Sequence, residues 1–292
     1  MAAITVGVPV YNEAARMVGC LEGLRAQTFN DFEVLIFDNA STDATGEIAQ
    51  AFCARDSRFH YVRQAMNRGP IVNHHDVMMA ATSPYFAWRA ADDSSDLNYL
   101  EALHGMLEAN PSKSLAVGRD HGMFRDEIIR TTPAPALTDD RGLGEVLKLM
   151  FRSPPSWIYG LYRREALAAA VARIGPDYSS TGWAYDFLIM LPFFMDTAVV
   201  GTEATTFEVA LRPRRAEPGQ PRPPRTQSDL AGMLAIRRQF LTIAQTFVDD
   251  RVPPGPGRAL WAALLWLYAD RRVYKTRHIV RRSARRLIGL KP

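Results

Sequence analysis

Two adjacent carboxylates, Asp92 and Asp93, lie in the sequence RAADDSSD, between a short apolar run and a stretch with helical periodicity. Carboxylates at such a junction either cap the helix or hold a hard divalent cation such as Mg²⁺. Residues 94–96, Ser-Ser-Asp, are sufficient to cap a helix that begins near Leu97. The carboxylate pair is therefore not needed for capping, and we interpret it as a metal or substrate site.

Polar residues also follow the three preceding predicted strands. Tyr-Asn-Glu follows the first strand at 11–13, the second strand ends in Asp38, and Asn-Arg-Gly follows the third at 67–69. In an open parallel sheet, ligands bind beyond the carboxyl ends of the strands. Like charges gathered at one edge repel unless a cation or donor groups receive them. The arrangement therefore predicts a binding site rather than a series of unrelated caps.

The elements that must position these residues alternate along the first half of the chain. Apolar and β-branched runs predict strands at 4–10, 32–38, 59–64 and 83–89. Helical spacing of apolar residues predicts helices at 13–27, 41–55, 70–81 and 97–109. Alternation of this kind predicts an α/β fold with a mostly parallel sheet.

The second half is less regular. Its predicted helices are 143–151, the end of 159–175, 182–195, 228–248 and the basic segment 258–290. A strand at 114–118, a hairpin at 122–129, a short strand near 159 and two strands within 197–212 complete the predicted elements. Residues 212–225 are rich in Pro and Arg without apolar periodicity, which predicts a loop or linker.

Several classes of protein are excluded by missing motifs. The turn after the first strand reads PVYNEA and has no glycine, whereas a dinucleotide-binding fold needs G-x-G-x-x-G there. A phosphate-binding G-x-x-x-x-G-K-[ST] loop, an H-E-x-x-H or paired C-x-x-C zinc motif and a G-x-S-x-G elbow are also absent from the sequence.

Composition and charge indicate the class of protein and the cellular compartment. The 292 residues are 47% hydrophobic and 23% charged, which suits a globular protein. Cys20 and Cys53 suggest buried thiols in a reducing compartment, and the N-terminus has no basic, secretion-like region. Residues 271–292 hold nine Lys and Arg and no acidic residue, so the net charge of +4 arises in the tail. We expect a cytoplasmic protein.

Three stretches together resemble the family 2 glycosyltransferases of the GT-A fold: VPVYNEAARMVGCLEGLRAQTFNDFEVLIFDNASTDAT, NRGP, and the strand that ends at the Asp pair. The resemblance covers residues 3–120 strongly and 150–210 weakly. It implies a Rossmann-like, mostly parallel central sheet with helices on both faces and a basic α-helical C-terminal extension. The implied division is a GT-A domain at 1–211 with a nucleotide-sugar-binding half at 1–120 and an acceptor half at 121–211, a loop at 212–227, and the extension at 228–292.

The resemblance also implies site residues. The donor nucleotide would be bound by residues from the first four strand ends: Pro9, Val10, Tyr11, Glu13, Asp38, Asn67, Gly69, Pro70, Asn73 and Asp92. Asp38 would accept a hydrogen bond from the base, and Asp92 and Asp93 would hold Mn²⁺ or Mg²⁺ against the diphosphate, with Asp93 as the main ligand. Two positions depart from the family pattern. Ala90 replaces the first Asp of D-x-D-D. The stretch VALRPRRAEPG lacks the His of R-x-H. Either the metal ion then has fewer protein ligands, or Arg212, Arg214 or Arg215 contacts the diphosphate directly.

The base that removes the acceptor proton would come from the second half of the chain. The stretch TGWAYDFLIMLPFF offers one carboxylate, Asp186, whose apolar neighbours would raise its pKa. Trp157, Trp183 and Tyr185 would flank the acceptor sugar. The alternatives are a structural Asp186 and plain core packing of Trp157.

The function implied is inverting transfer of a sugar from a UDP, dTDP or GDP sugar to a saccharide or lipid-linked saccharide in bacterial surface polysaccharide synthesis. The alternatives are a nucleotidyltransferase that acts on a sugar phosphate and a non-catalytic GT-A-like binding module. The basic helical tail suits an anionic membrane surface, which would place the protein peripherally on the inner face of the cell membrane. The tail could instead pack on its own domain or in a homodimer, and no nucleic-acid-binding motif is present.

Overall fold

The computed structural model describes residues 1–178, 182–211 and 230–276. The described strands are β1 (Ile4–Val10), β2 (Phe32–Asp38), β3 (Phe59–Arg63), β4 (Tyr85–Trp88), β5 (Ser94–Ser95), β6 (Leu115–Phe124), β7 (Glu127–Thr132), β8 (Leu161–Arg163) and β9 (Val199–Ala210). The described helices are α1 (Met17–Arg25), α2 (Thr45–Arg55), α3 (Pro70–Ala80), α4 (Tyr99–Ala109), α5 (Leu143–Arg152), α6 (Arg164–Ile174), α7 (Tyr185–Met195), α8 (Leu230–Arg251) and α9 (Pro256–Arg272). A 3-10 helix spans Pro155–Tyr159.

Within the described residues, the strands form one sheet in the order β3-β2-β1-β4-β8-β6-β9-β5, with β7 paired to β6. The pairs β1–β2, β1–β4, β2–β3 and β6–β9 are parallel, whereas β5, β7 and β8 run antiparallel to their neighbours. The predicted mostly parallel α/β fold is confirmed. The parallel order also brings the carboxyl ends of β1, β2 and β4 to one edge of the sheet.

Alternating side chains divide the interior into two cores. In β4, Tyr85 and Ala87 pack in one core and Phe86 and Trp88 pack in the other, because successive residues of a strand face opposite sides of the sheet. The helices α1, α2 and α4 contribute to the first core, and α3 and α5 to α9 contribute to the second. Helices therefore cover both faces of the sheet.

The predicted helix cap after the Asp pair is wrong. Ser94 and Ser95 form β5 and pair with Glu208 and Phe207 of β9, so their backbone is extended. The Asp96 carboxylate accepts a hydrogen bond from the Thr206 backbone N–H at 2.7 Å. The following helix begins at Tyr99 without a side-chain cap. Pairing with a distant strand has replaced the local capping interaction.

Other differences from the predicted elements are smaller. The two strands predicted within 197–212 are one strand, β9, whose pairing with β6 shifts register between Val117 and Arg119. Cys20 is buried, but Cys53 is only partly so. The Pro- and Arg-rich loop and the tail beyond residue 276 lie outside the described residues. In the described part of the chain, no helix combines the length and the apolar character needed to cross a bilayer.

Gly160 lets β8 lie against β6. A Cβ at this position would lie 2.4 Å from the Ala116 carbonyl oxygen, which belongs to the backbone and cannot move aside. The φ of −64° would suit any residue, so the restriction is one of space. The glycine is therefore required by the close approach of two strands.

We predict that Gly160→Ala lowers the free energy of unfolding by about 1–3 kcal/mol, because the new methyl group forces the strands apart. Gly105→Ala is the matched control, since a Cβ on that glycine within α4 meets nothing within 4 Å. The control should be neutral or stabilising by up to about 1 kcal/mol. Urea denaturation of both variants measures the difference, and equal stabilities would contradict the packing argument.

Candidate active site at the carboxyl edge of the sheet

Three turns at this edge contain left-handed residues. Asn12 follows β1 with φ 55°, Ala40 follows β2 with φ 60°, and Gly69 precedes α3 with φ 89°. Left-handed backbone at residues other than glycine is costly and concentrates at ligand sites. The Asn12 side chain offsets part of that cost because its Oδ1 accepts the Thr42 N–H at 2.8 Å.

Asn39 ties the turns together. Its backbone N–H donates to the Val10 carbonyl at 2.9 Å, and its Nδ2 donates to Asn67 Oδ1 at 2.9 Å and to the Gly69 carbonyl at 3.1 Å. Its Oδ1 accepts the Arg68 N–H at 2.9 Å. The sequence places Asn39 beside Asp38 but gives no sign of these contacts, which depend on residues about thirty positions away.

The Asp38 carboxylate is fully buried. It accepts hydrogen bonds from the Ser41 N–H at 2.8 Å, the Tyr61 hydroxyl at 2.7 Å and Arg63 Nη1 at 3.0 Å. These contacts fix the turn after β2. The predicted hydrogen bond from Asp38 to a nucleobase stays a prediction.

Asn73 supplies a buried acceptor at the same edge. Its side chain is 4% exposed, and its Nδ2 donates to the Phe37 carbonyl at 2.9 Å and the Val10 carbonyl at 3.5 Å. Its Oδ1 is buried and has no hydrogen-bond partner in the described part of the chain. A buried acceptor left in this state costs free energy, so the atom is suited to a ligand or a water molecule.

The other predicted nucleotide residues differ in exposure. Tyr11 is 44% exposed. The Val10 side chain is buried in the core, so Val10 contributes its backbone carbonyl group to this edge of the sheet. Glu13 accepts a hydrogen bond from Arg16 Nε at 2.7 Å. The remaining members of the set are partly or fully exposed at the turns: Pro9, Asn67, Gly69 and Pro70.

Asp92 and Asp93 lie beyond β4, as predicted. Asp93 is 6% exposed, and its Oδ1 accepts the Ala210 N–H at 2.9 Å from the end of β9. Burial raises the pKa of Asp93 to about 7, with further increases from the charges of Asp92 and Asp120, while the Ala210 N–H and Arg89 oppose the rise. The buried charge of Asp93 is therefore only partly stabilised by the Ala210 N–H and Arg89.

Arg89 is the buried cation beside this pair. It is 4% exposed, and its guanidinium lies 5.3 Å from the ring centre of Tyr99 and 4.8 Å from that of Phe207. Its Nη2 donates to Ser95 Oγ at 2.9 Å, but its Nε has no partner among the described residues. A basic residue three positions before the Asp pair is the sequence signal that could have identified it.

Asp120 is a further buried carboxylate, and the sequence did not identify it as a site residue. It is 1% exposed and accepts hydrogen bonds from Arg130 Nη2 at 2.5 Å and from the Ser156 hydroxyl. No local motif marks it, because its position follows from the pairing of β6 with β7 and β9.

The donor atoms at this edge are of the type that a divalent cation prefers. Within residues 1–178, 182–211 and 230–276, no group of three or more His, Cys, Asp or Glu is placed to hold a metal ion. Asp92 and Asp93 nevertheless offer hard oxygen atoms, and a cation would offset the burial of the Asp93 charge, which is the main cause of its raised pKa, as well as the smaller effect of the Asp92 charge. Arg212, Arg214 and Arg215 lie outside the described residues.

Asp186 lies in the first turn of α7. The chain reaches it through two left-handed residues, Gly182 with φ 66° and Ala184 with φ 62°. The side chain is half-buried. Burial raises the pKa of Asp186 to about 6, and the Phe187 N–H and the charge of Arg272 limit the rise. A carboxylate with this pKa can accept a proton near neutral pH.

Tyr159 connects the two groups of carboxylates. It is the last residue of the 3-10 helix, and burial raises the pKa of its phenol, with smaller contributions from Asp93, Asp186 and Asp92 in that order. The charges of the Asp pair and of Asp186, which are about ninety residues apart in the sequence, therefore act on the same phenol.

The predicted acceptor aromatics have different surroundings. Trp157 is 6% exposed and packs against Phe194, with ring centres 6.5 Å apart, as the packing alternative describes. Trp183 is 44% exposed and stacks on Tyr274 at 5.5 Å. Tyr185 is 4% exposed. The Trp157 Nε1–H and the Tyr185 hydroxyl are buried donors without a partner in the described residues.

Comparison with proteins of known sequence gives two informative relatives. Glycosyltransferase GlyG of Streptococcus pneumoniae is 30% identical over 105 residues, which are 36% of this chain and 35% of GlyG. The uncharacterized glycosyltransferase EpsJ of Bacillus subtilis is 30% identical over 175 residues, which are 57% of this chain and 49% of EpsJ. The chain therefore spans less than half the length of either relative.

Comparison with solved structures supports the fold. Residues 1–349 of S. aureus TarS, in complex with UDP-GlcNAc, superpose with a TM-score of 0.68 over 92% of this chain and 73% of that one, at 15% identity. The mannosyltransferase PcManGT from Pyrobaculum calidifontis, in complex with GDP-Man and Mn²⁺, gives 0.53 over 99% and 88% at 19% identity. These matches confirm the predicted GT-A-type architecture.

The family comparison covers more than half of the chain. Glycosyl transferase family 2 matches residues 5–168, which include all four strand ends and the Asp pair. The chain belongs to glycosyl transferase family 2.

Proposed function

We propose that the protein is an inverting glycosyltransferase. It would move a sugar from a nucleoside diphosphate sugar to a hydroxyl group of a saccharide or lipid-linked saccharide in bacterial surface polysaccharide synthesis. The observation that carries the proposal is the family match over residues 5–168, which include the four strand ends and the Asp pair. Tyr159, whose phenol is acted on by the charges of both groups of carboxylates, supports a single site with a donor-binding side and a proton-accepting side.

The donor side is formed by residues 1–120 in this proposal. The turns fixed by Asn39 and Asp38 give a rigid edge for the nucleotide, and the buried Asn73 Oδ1 can accept a hydrogen bond from it. UDP is the first nucleotide to test, because S. aureus TarS, with the higher TM-score, was solved with UDP and with UDP-GlcNAc. GDP is the second, on account of PcManGT.

Asp92 and Asp93 would hold Mn²⁺ or Mg²⁺. When bound, the cation would neutralise negative charge that builds on the leaving diphosphate. Asp93 is the main ligand in this proposal, since its buried carboxylate is fixed by the Ala210 N–H and has the raised pKa. Arg89 would add a second positive charge beside the pair, so the bound cation would not be the sole compensation for the negative charge of the two carboxylates.

Asp186 would be the base. Its carboxylate takes the proton of the acceptor hydroxyl while that oxygen forms a bond to the anomeric carbon of the donor sugar. The bond from the anomeric carbon to the diphosphate oxygen breaks on the opposite side, and its electron pair leaves with the diphosphate. The buried Trp157 Nε1–H and Tyr185 hydroxyl are available to orient the acceptor through hydrogen bonds.

A basic helical end would bring the protein to its acceptor. Three large apolar side chains of α9 are about half exposed: Leu260, Trp266 and Leu267. Arg271 and Lys275 follow them, and the run of basic residues continues to the end of the sequence. We propose that this surface binds the anionic inner face of a membrane, where lipid-linked saccharides are found.

We predict that UDP or GDP with Mn²⁺ stabilises the protein more than the nucleotide alone. At a ligand concentration about 100 times Kd, the gain is about 2.7 kcal/mol, which corresponds to several degrees in Tm. Asp93→Asn should remove the Mn²⁺-dependent part and leave the nucleotide part. Asp92→Asn is the matched comparison and should have the smaller effect. Thermal denaturation measures both, and an absence of any shift with all nucleotide–metal pairs would contradict the donor site.

We predict that Asp186→Asn abolishes sugar transfer but stabilises the protein at about pH 8. The native pKa of about 6 lies above the ordinary value of 3.8, so the folded state binds the proton more tightly. Ionisation therefore costs stability progressively between those two values, up to about 3 kcal/mol above pH 6. The Asn variant escapes this cost, and its advantage should shrink as the pH falls towards about 4.

The same variant separates catalysis from structure. Transfer by the unaltered protein should rise with pH through an inflection near 6, as ionised Asp186 increases. Nucleotide binding should be the same in both proteins. An Asp186→Asn variant that retains transfer with the correct donor and acceptor would exclude Asp186 as the base, whereas a variant that gains no stability at about pH 8 would contradict only the raised pKa.

We predict that the unaltered protein sediments with vesicles of phosphatidylglycerol and phosphatidylcholine but not with phosphatidylcholine alone, and less so at high salt. Leu260→Ser with Leu267→Ser should reduce binding several-fold. Leu234→Ser is the control, since Leu234 is similarly exposed at 45% but lies on α8. Equal binding by both variants would argue against α9 as the membrane contact.

A further inference from the structure

The last turn of α9 packs around the segment that carries Asp186. The guanidinium of Arg272 lies 4.3 Å from the ring centre of Phe187, the residue after Asp186. On the other side, Trp183 stacks on Tyr274 at 5.5 Å with the ring planes 7° apart, and its Nε1 donates to the Val273 carbonyl at 2.7 Å. Residues on both sides of Asp186 are thus held by Arg272, the last residue of α9, and by the two residues that follow it.

Arg272 is itself fixed in place. Its Nη2 donates to the Met150 carbonyl at 2.8 Å and the Ser153 carbonyl at 2.9 Å, at the end of α5. These carbonyls satisfy the donors of the guanidinium without neutralising its charge. Its ordered position also differs from that of the exposed arginines of the same basic segment, such as Arg271.

The titratable groups around Asp186 come from several elements. Arg272 supplies the positive charge that acts on its carboxylate, and Asp186 in turn acts on the half-buried Tyr159 and on three buried tyrosines: Tyr162, Tyr178 and Tyr268. Burial raises the pKa of each of these phenols, so all four remain neutral near pH 7.

We infer that Arg272 is a positioning residue for Asp186. The Arg272 side chain holds the first turn of α7 and faces the Asp186 carboxylate with a fixed positive charge. The inference rests on the proposed role of Asp186 as the base. The helices after residue 230 would then have a part in catalysis, because without α9 the turn that presents the Asp186 carboxylate would lose contacts on both sides. The charge would keep Asp186 ionised at neutral pH despite its burial.

The test is the pH profile of kcat/KM for Arg272→Met. Loss of the charge should move the inflection near pH 6 upward by roughly 0.5 to 1 unit. Transfer should therefore fall several-fold at about pH 6 and recover partly at about pH 8, with the KM for the donor unchanged. Arg272→Lys keeps the charge and should keep the inflection. Arg238→Met is the matched control, because Arg238 is an exposed arginine of the neighbouring helix α8 and should leave the profile unchanged.

A purely structural role predicts a different result. Transfer by Arg272→Met would then fall equally at every pH, and an inflection at the unaltered value would overturn the inference. If Arg272→Met does not fold, Arg272→Gln takes its place, since its amide can still donate to the Met150 and Ser153 carbonyls without the charge.

A second readout does not depend on transfer. The stabilisation gained by Asp186→Asn grows between the ordinary pKa of 3.8 and the folded-state pKa, so in the Arg272→Met background it should level off at a higher pH and reach a larger value. Transfer unaffected by Asp186→Asn would refute the proposed base. An inactive Asp186→Asn variant together with an unshifted Arg272→Met profile would refute only the positioning role.

Discussion

The burial of negative charge at one edge of the sheet is the constraint on which the site depends. Asp38, Asp93 and Asp120 are each less than a tenth exposed, and an ionised carboxylate in such a position must be compensated. Asp38 has three donors and Asp120 has an arginine and a hydroxyl group. Asp93 has one backbone N–H and the neighbouring charge of Arg89. The unequal compensation singles out Asp93 as the position where a cation would contribute most.

The strands, and the polar residues gathered at one edge of the sheet, could be predicted because they follow from local patterns. The runs 4–10 and 32–38 form strands with the predicted bounds, and the rule that ligands meet the carboxyl ends of parallel strands then gathers the polar residues after them. The left-handed Asn12 and Ala40 were not predictable, because their conformation is maintained by contacts between turns about thirty residues apart.

The errors share one physical cause. Ser94 and Ser95 have the composition of a helix cap, but pairing with β9 satisfies their backbone instead. No burial was predicted for Arg89, yet Tyr99 and Phe207 enclose it. Arg272 belongs to a basic tail in the sequence and to the surroundings of Asp186 in the fold. In each case a partner distant in the sequence outweighs the local preference, and a single sequence contains no record of that partner.

The two sides of the site also differ in how they are built. The donor edge is made by consecutive strand-to-helix turns, so its geometry follows from the sheet and tolerates changes elsewhere. The surroundings of Asp186 combine the 3-10 helix, α7 and α9, which are spread over residues 155–272 of the chain. Because such contacts depend on how separate helices pack, we expect that a substitution in α9 changes the ionisation of Asp186 without touching either substrate.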